Sequence, residues 1–191
     1  MSLRINDELD AEELFHCALE ASNLKYHERA IELLKRSISL EDHPAKRLFL
    51  AAEHAEIKLY DRAIEGMQTT ISLAPELWIA HFQLGQLYLV TQEISEAKKV
   101  WSHLVNSTNS PSYFQEFARG LLAIADGNTE EGIELLRGGI AENSENPALN
   151  KDIEKIIEAT ANQGSPQEKP QIKNNENSAV NKMLLSKYSQ N

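Results

Sequence analysis

The sequence predicts an all-α protein of stacked helical hairpins, and three observations carry that expectation. A small residue recurs at Ala30, Ala63, Ala97 and Gly132, at intervals of 33, 34 and 35 residues. A second small residue stands twelve positions before each of them, at Ala18, Ala51, Gly85 and Gly120. Around both sets, apolar residues recur at i, i+3, i+4 and i+7, one face of a helix, and no segment sustains the period-2 alternation of a strand. A fixed period of this length marks supersecondary units that bury their apolar faces on one another.

The elements follow in order. Each hairpin needs two helices that approach closely where both lack bulk, with large apolar residues filling the space around that contact. Leu34, Met67, Trp101 and Leu136 stand four residues after the second-helix anchors, and Ile38, Ile71, Val105 and Ile140 stand eight after. The spacing places helices near 9–24 and 27–41, 44–57 and 60–73, 77–91 and 94–107, then 112–126 and 129–142. Gly127-Asn128 and the polar run Ser107 to Ser110 break the periodicity. His43-Pro44, Ser110-Pro111 and Asn146-Pro147 each read as a cap followed by proline in the first turn, where its missing N–H costs nothing. A ninth helix near 147–161 carries Ile153, Ile156 and Ile157 on one face, suited to covering the last apolar edge.

This pattern resembles the tetratricopeptide repeat (TPR) family. The third unit matches best, with Leu84-Gly85, Tyr88, Ala97 and Trp101. The second gives Leu50-Ala51, Tyr60, Ala63, Met67 and Pro75, and the first Cys17-Ala18, Ala30 and Leu34, with Tyr26 one residue out of register. The fourth keeps Gly120, Gly132, Leu136 and Gly139. The resemblance covers residues 11–144 and implies a right-handed α-solenoid of about four hairpins, capped by the ninth helix, that holds a partner's peptide or helix in a concave groove. One departure is systematic. Where the family prefers Trp or Leu early in the first helix, this chain has Leu14, Arg47, His81 and Glu116, each followed by an apolar residue.

Carried onto matching positions, the groove row is Phe15, Leu48, Phe82 and Phe117. One turn on come Leu19, Ala52, Gln86 and Leu121, and a further turn gives Ser22, Ala55, Leu89 and Ile124. Three readings stand side by side. The row lines a groove, or the first helices are rotated and its phenylalanines pack between units, or the row is a mixture of the two; solvent exposure separates them. The family members that grip the carboxylate tail of heat-shock chaperones use Lys, Arg and Asn, whereas the matching positions here are Phe15, Leu19, Phe49, Ile79 and Gln83. That ligand is not expected.

Composition excludes several classes. The net charge of −10 and the lack of a Lys/Arg cluster oppose nucleic-acid binding. No stretch approaches the roughly 20 apolar residues of a membrane span. Met1 to Asp10 has no apolar run, unlike a signal peptide. Cys17 is the sole cysteine, which fits a reducing, cytoplasmic setting, and its position suggests burial against the partner helix. The histidines His16, His27, His43, His54, His81 and His103 show no metal-ligand spacing. The glycines of the fourth unit lack a phosphate-loop context, and Glu130-Glu131 suits a helix N-terminus. No cofactor and no catalysis are expected.

The expected organisation is a lead at 1–8, a solenoid with its capping helix at 9–162, and a flexible tail at 163–191. The tail is net +2 against −12 for the body, and Val180, Met183, Leu184 and Tyr188 outline a short docking helix at 179–188. The expected function is an adaptor or scaffold for a protein segment with basic or apolar character, with a small holding chaperone as the alternative.

Overall fold

The computed structural model describes residues 9–163. The lead 1–8 and the segment 164–191, with the docking helix expected at 179–188, lie outside the described residues. Among the described residues there are nine helices and no strand: α1 (Ala11–Asn23), α2 (His27–Leu40), α3 (Pro44–Glu56), α4 (Tyr60–Leu73), α5 (Trp78–Val90), α6 (Ile94–Asn106), α7 (Ser112–Ala125), α8 (Thr129–Glu142) and α9 (Pro147–Gln163). The chain divides between Ala80 and His81 into two compact units.

Local chemistry sets the helix ends. Asp10 caps α1 through a reciprocal box: its Oδ1 accepts from the Glu12 and Glu13 amides at 2.9 and 2.8 Å, and its own amide donates to Glu13 Oε2 at 3.0 Å. His43 caps α3, its Nδ1 accepting from the Ala45 amide at 3.2 Å, and Asn146 accepts from the Leu149 amide at 3.0 Å. The expected cap at Ser110 is displaced by one residue. Pro111 takes the N-cap position and α7 starts at Ser112.

The turns inside the hairpins repeat one geometry. Lys25, Lys58, Gln92 and Gly127 have φ of 64, 61, 67 and 89°, and the next residue donates back to the carbonyl of Ala21, His54, Tyr88 or Ala123 at 2.7–2.9 Å. This closure satisfies the last carbonyls of each first helix. Only the fourth turn uses glycine, so three hairpins hold a side chain in the left-handed region at a cost of about 1 kcal/mol each.

In the first unit, α1 packs on α2, α2 on α3, and α3 on α4. Leu14, Ala18, Ala21, Ala30, Leu33 and Leu34 form its first core cluster. In the second unit, α6 packs on α7, α7 on α8, and α8 on α9. All eight small repeat positions are buried: Ala18, Ala30, Ala51, Ala63, Gly85, Ala97, Gly120 and Gly132. Their size is needed at measurable contacts. A Cβ on Gly85 would lie 2.1 Å from Trp101 Nε1, and one on Gly120 would lie 2.8 Å from the Gly132 carbonyl oxygen.

Two outcomes follow for stability. Gly85→Ala displaces the Trp101 indole and lowers the unfolding free energy by about 1–3 kcal/mol, read by urea denaturation together with a change in native fluorescence. Gln92→Gly relieves the left-handed strain at its turn and raises stability by up to about 1 kcal/mol, whereas Gly127→Ala lowers it by about as much.

Candidate peptide-binding face

The first helices of the first unit present an apolar surface. Phe15 on α1 and Phe49 on α3 meet edge to face, with ring centroids 5.4 Å apart and an interplanar angle of 70°. Phe49 is 38 % exposed. Phe15, Leu19, Leu48 and Ala52 beside it are half-buried. Offset and edge-on aromatic pairs are favourable, so the two rings form a fixed ridge spanning α1 and α3.

A buried polar clasp holds these helices in place. Glu53 on α3 is buried, accepting from the Ser22 hydroxyl of α1 at 2.5 Å and lying 2.9 Å from His27 Nδ1 at the start of α2. The carboxylate thus bridges three helices. The order of contacts matters chemically. Ser22 gives its proton to the carboxylate and does not touch the imidazole, so the trio is not a serine nucleophile activated by histidine. His54, the next residue on α3, is also buried, and its Nε2 has no hydrogen-bond partner. Burial pushes its pKa below the ordinary histidine range, with Lys35 and Arg62 acting in the same direction and Glu53 opposing.

The second unit is different. Phe82 and Phe117 are each 0 % exposed. Leu89, Leu121 and Gln86 are buried with them. The Phe82 ring lies 6.0–6.4 Å from those of Phe114, Phe117 and Trp101, and Trp101 Nε1 donates to the Phe82 carbonyl at 3.2 Å. These five candidate groove positions are core, which corrects the groove reading for them. Phe82, Gln86 and Leu89 sit on α5, whose mostly apolar sequence WIAHFQLGQLYLV has no single polar face, and Phe117 and Leu121 lie on the buried side of α7. Of the eight groove candidates, Phe15, Leu19 and Leu48 remain at a surface.

Phe49 stands outside the row of Phe15, Leu48, Phe82 and Phe117, although it is among the groove positions matched to the members that grip a carboxylate tail. It stands one residue after Leu48, so the exposed side of α3 is rotated by about 100° from the aligned position. The signal was the apolar run Leu48-Phe49-Leu50, too wide for one buried stripe. Cys17 also departs from expectation: it is half-buried and lines an outer groove beside Leu9 and Leu33. Among the described residues no three His, Cys, Asp or Glu side chains converge as a metal site, and no helix is long and apolar enough to cross a membrane.

No protein-family model matches the chain, and no curated protein matches it. Solved structures do match. One, titled "Crystal structure of MamA", superposes with a TM-score of 0.59 over 73 % of this chain and 81 % of that one, at 19 % identity. Identity at that level speaks for the fold. The fold is an all-α helical-hairpin solenoid with TPR-like repeats.

Two measurements probe the site's scaffold. His27→Ala leaves the Glu53 carboxylate buried with Ser22 alone and costs about 2 kcal/mol of stability, read by urea unfolding. A histidine with a depressed folded pKa binds its proton more tightly when unfolded, so its stabilising contribution is complete above the unfolded value and lost as pH falls through the folded one. Melting temperature therefore begins to fall as pH drops below about 6.5. His54→Gln flattens that decline, leaving the loss at lower pH where Glu41 and Asp42, both held below the usual carboxylate range by Lys46 and Arg47, take up protons.

Proposed function

We propose that this chain is a non-catalytic interaction module, an adaptor or scaffold that seats an apolar segment of a partner protein on the first helices of its first unit. The observation that carries this reading is the part-exposed Phe15–Phe49 ridge with Leu19, Leu48 and Ala52 alongside. Contiguous exposed apolar surface with acidic residues around it is the anatomy of an interaction site. Glu12, Glu13 and Glu20 lie on the α1 surface, and the body carries an acidic excess, so basic residues flanking the apolar anchors are favoured. The occupant is a short amphipathic helix or extended segment with two or three large apolar side chains and flanking Lys or Arg.

A holding chaperone for an apolar client is the second reading. It is favoured by one observation: the large apolar residues most open to solvent among the described residues, Leu24, Tyr26, Leu40, Phe49, Leu59 and Leu73, all fall in the first unit. Such a chaperone keeps an aggregation-prone client soluble, whereas an adaptor binds a folded partner's segment without affecting its solubility.

The test uses a designed amphipathic helical peptide with Leu and Phe anchors and Lys flanks, titrated by calorimetry. Binding is expected to weaken about tenfold or more in the Phe15→Ser/Phe49→Ser variant and when the flanks are changed to Glu. Unchanged affinity in the double variant, with its fold retained by circular dichroism, would remove the ridge as the site.

A further inference from the structure

The first hairpin carries a stacking face that stays open among the described residues. Where the second hairpin stacks on the first, α3 meets α2 through Lys46, Leu50 and Glu53. Lys46 Nζ lies 2.9 Å from Glu41 Oε2 at the end of α2, and Glu53 Oε2 lies 2.9 Å from His27 Nδ1 at its start. Leu50, between them, packs on the core cluster of the first hairpin. The repeat equivalents, 33 residues earlier, are Glu13, Cys17 and Glu20 on α1. There the same three positions meet no preceding helix: Glu13 and Glu20 are exposed and Cys17 is half-buried. Cys17 and Glu20 line a groove of about 230 Å³, with Tyr26, Arg29 and Leu33 on its α2 side. A terminal repeat ordinarily turns a polar face outward. This one does not. Tyr26, Leu40 and Leu24, the large apolar residues most open to solvent among the described residues, are 64, 61 and 58 % exposed. Tyr26 and Leu24 border the groove, and Leu40 stands seven residues after Leu33, on the same side of α2.

We infer that this face is covered by a second copy of the chain, in a two-fold dimer in which α2 of each copy lies along α1 of the other. Charge complementarity selects that occupant. The open side of α1 is acidic, with Glu13 and Glu20 seven residues apart. The open side of α2 is basic, with Arg29 and Arg36 also seven residues apart and on the side of Leu33. Equal spacing lets both acid–base pairs align at once when α2 of one copy lies on α1 of its partner. A two-fold contact then repeats the arrangement, because each surface meets the other's complement. The face thus carries its own partner's chemistry, an apolar seam of Cys17, Leu24, Tyr26 and Leu33 flanked by matched charges. The stacked junction within the chain works the same way, with charged groups at the equivalent positions paired across to α2. Size sets the strength. Two helices of 13 and 14 residues present a face of about 20 by 20 Å. About 400 Å² from each copy falls at the low end of specific interfaces, so the dimer is a transient one with a Kd of order 10–100 μM. The apolar seam supplies most of the affinity, and the charges choose the partner and its orientation.

Sedimentation equilibrium of the full chain, from about 5 to 500 μM, measures the dimer directly. Glu20→Arg and Arg29→Glu, made separately, are each expected to weaken it about tenfold or more, since each change acts twice in a two-fold contact and sets like charges together. Glu20→Arg/Arg29→Glu in one chain is expected to restore the Kd to within about threefold, a rescue that a merely structural role for either residue would not give. Leu24→Ser/Tyr26→Ser is expected to abolish the dimer. Both residues are exposed, and circular dichroism with urea unfolding checks that each variant is folded. Phe15→Ser/Phe49→Ser is expected to leave the dimer unchanged, so the dimer and the ridge fail or stand separately. A full chain that stays monomeric to 500 μM overturns the inference and leaves the face to another occupant. A dimer that ignores the Glu20, Arg29, Leu24 and Tyr26 changes, or that is lost with Phe15 and Phe49 instead, also overturns it.

Discussion

Close helix contact at small residues is the constraint on which the rest of the structure depends. Gly120 and Gly132 bring the backbones of α7 and α8 within reach of each other, and Gly85 leaves the space on α5 that the Trp101 indole fills. Once two helices touch at such a point, the larger side chains on either side must fill the remaining volume at crystal-like density. Trp101, Met67, Leu34 and Leu136, one turn beyond the small residues, do this and are fully buried. The regular interval between small residues is thus the interval between hairpins.

That constraint leaves polar groups to be accommodated where helices cross. Glu53 answers to Ser22 and His27 on two other helices, and Lys46, buried on α3, places its Nζ 2.9 Å from Glu41 Oε2. Buried charges survive only with such partners. Both interactions tie the second hairpin to what precedes it, so the apolar ridge of Phe15 and Phe49 rests on a scaffold with limited freedom. The same scaffold contains His54, which has no partner for Nε2 and whose pKa is pushed below the ordinary histidine range, by burial first. Polar satisfaction and desolvation together give the first unit a sensitivity to acid that its apolar packing alone would not have.

Much of the fold was legible because it is local. Helix ends at Pro44, Tyr60, Ile94, Ser112, Thr129 and Pro147 coincide with the expected starts, since proline, caps and the change of period act over a few residues. The turn residues were less legible. Lys25, Lys58 and Gln92 adopt the left-handed conformation that the sequence signals only through Gly127, because the hydrogen bonds closing each hairpin outweigh a strain of about 1 kcal/mol. The candidate site divided along the same line. Phe15, Leu19 and Leu48 remain at a surface, while Phe82, Gln86, Leu89, Phe117 and Leu121 are core, although all eight occupy matched positions. Phe49, outside the matched row, is the more exposed partner of the aromatic pair.

The sequence by itself determined the all-α class, the hairpin repeat and the small residues at the helix contacts. These follow from periodicity, size and cap chemistry, which belong to each segment. Only the tertiary structure decided which apolar residues meet solvent. A phenylalanine has the same pattern on a helix whether or not another helix lies over it, and what lies over it comes from elsewhere in the chain. Phe82 is covered by Phe114 and Phe117 from α7 and by Trp101 from α6, whereas Phe15, packed on the first core cluster and against Phe49, stays only half-buried.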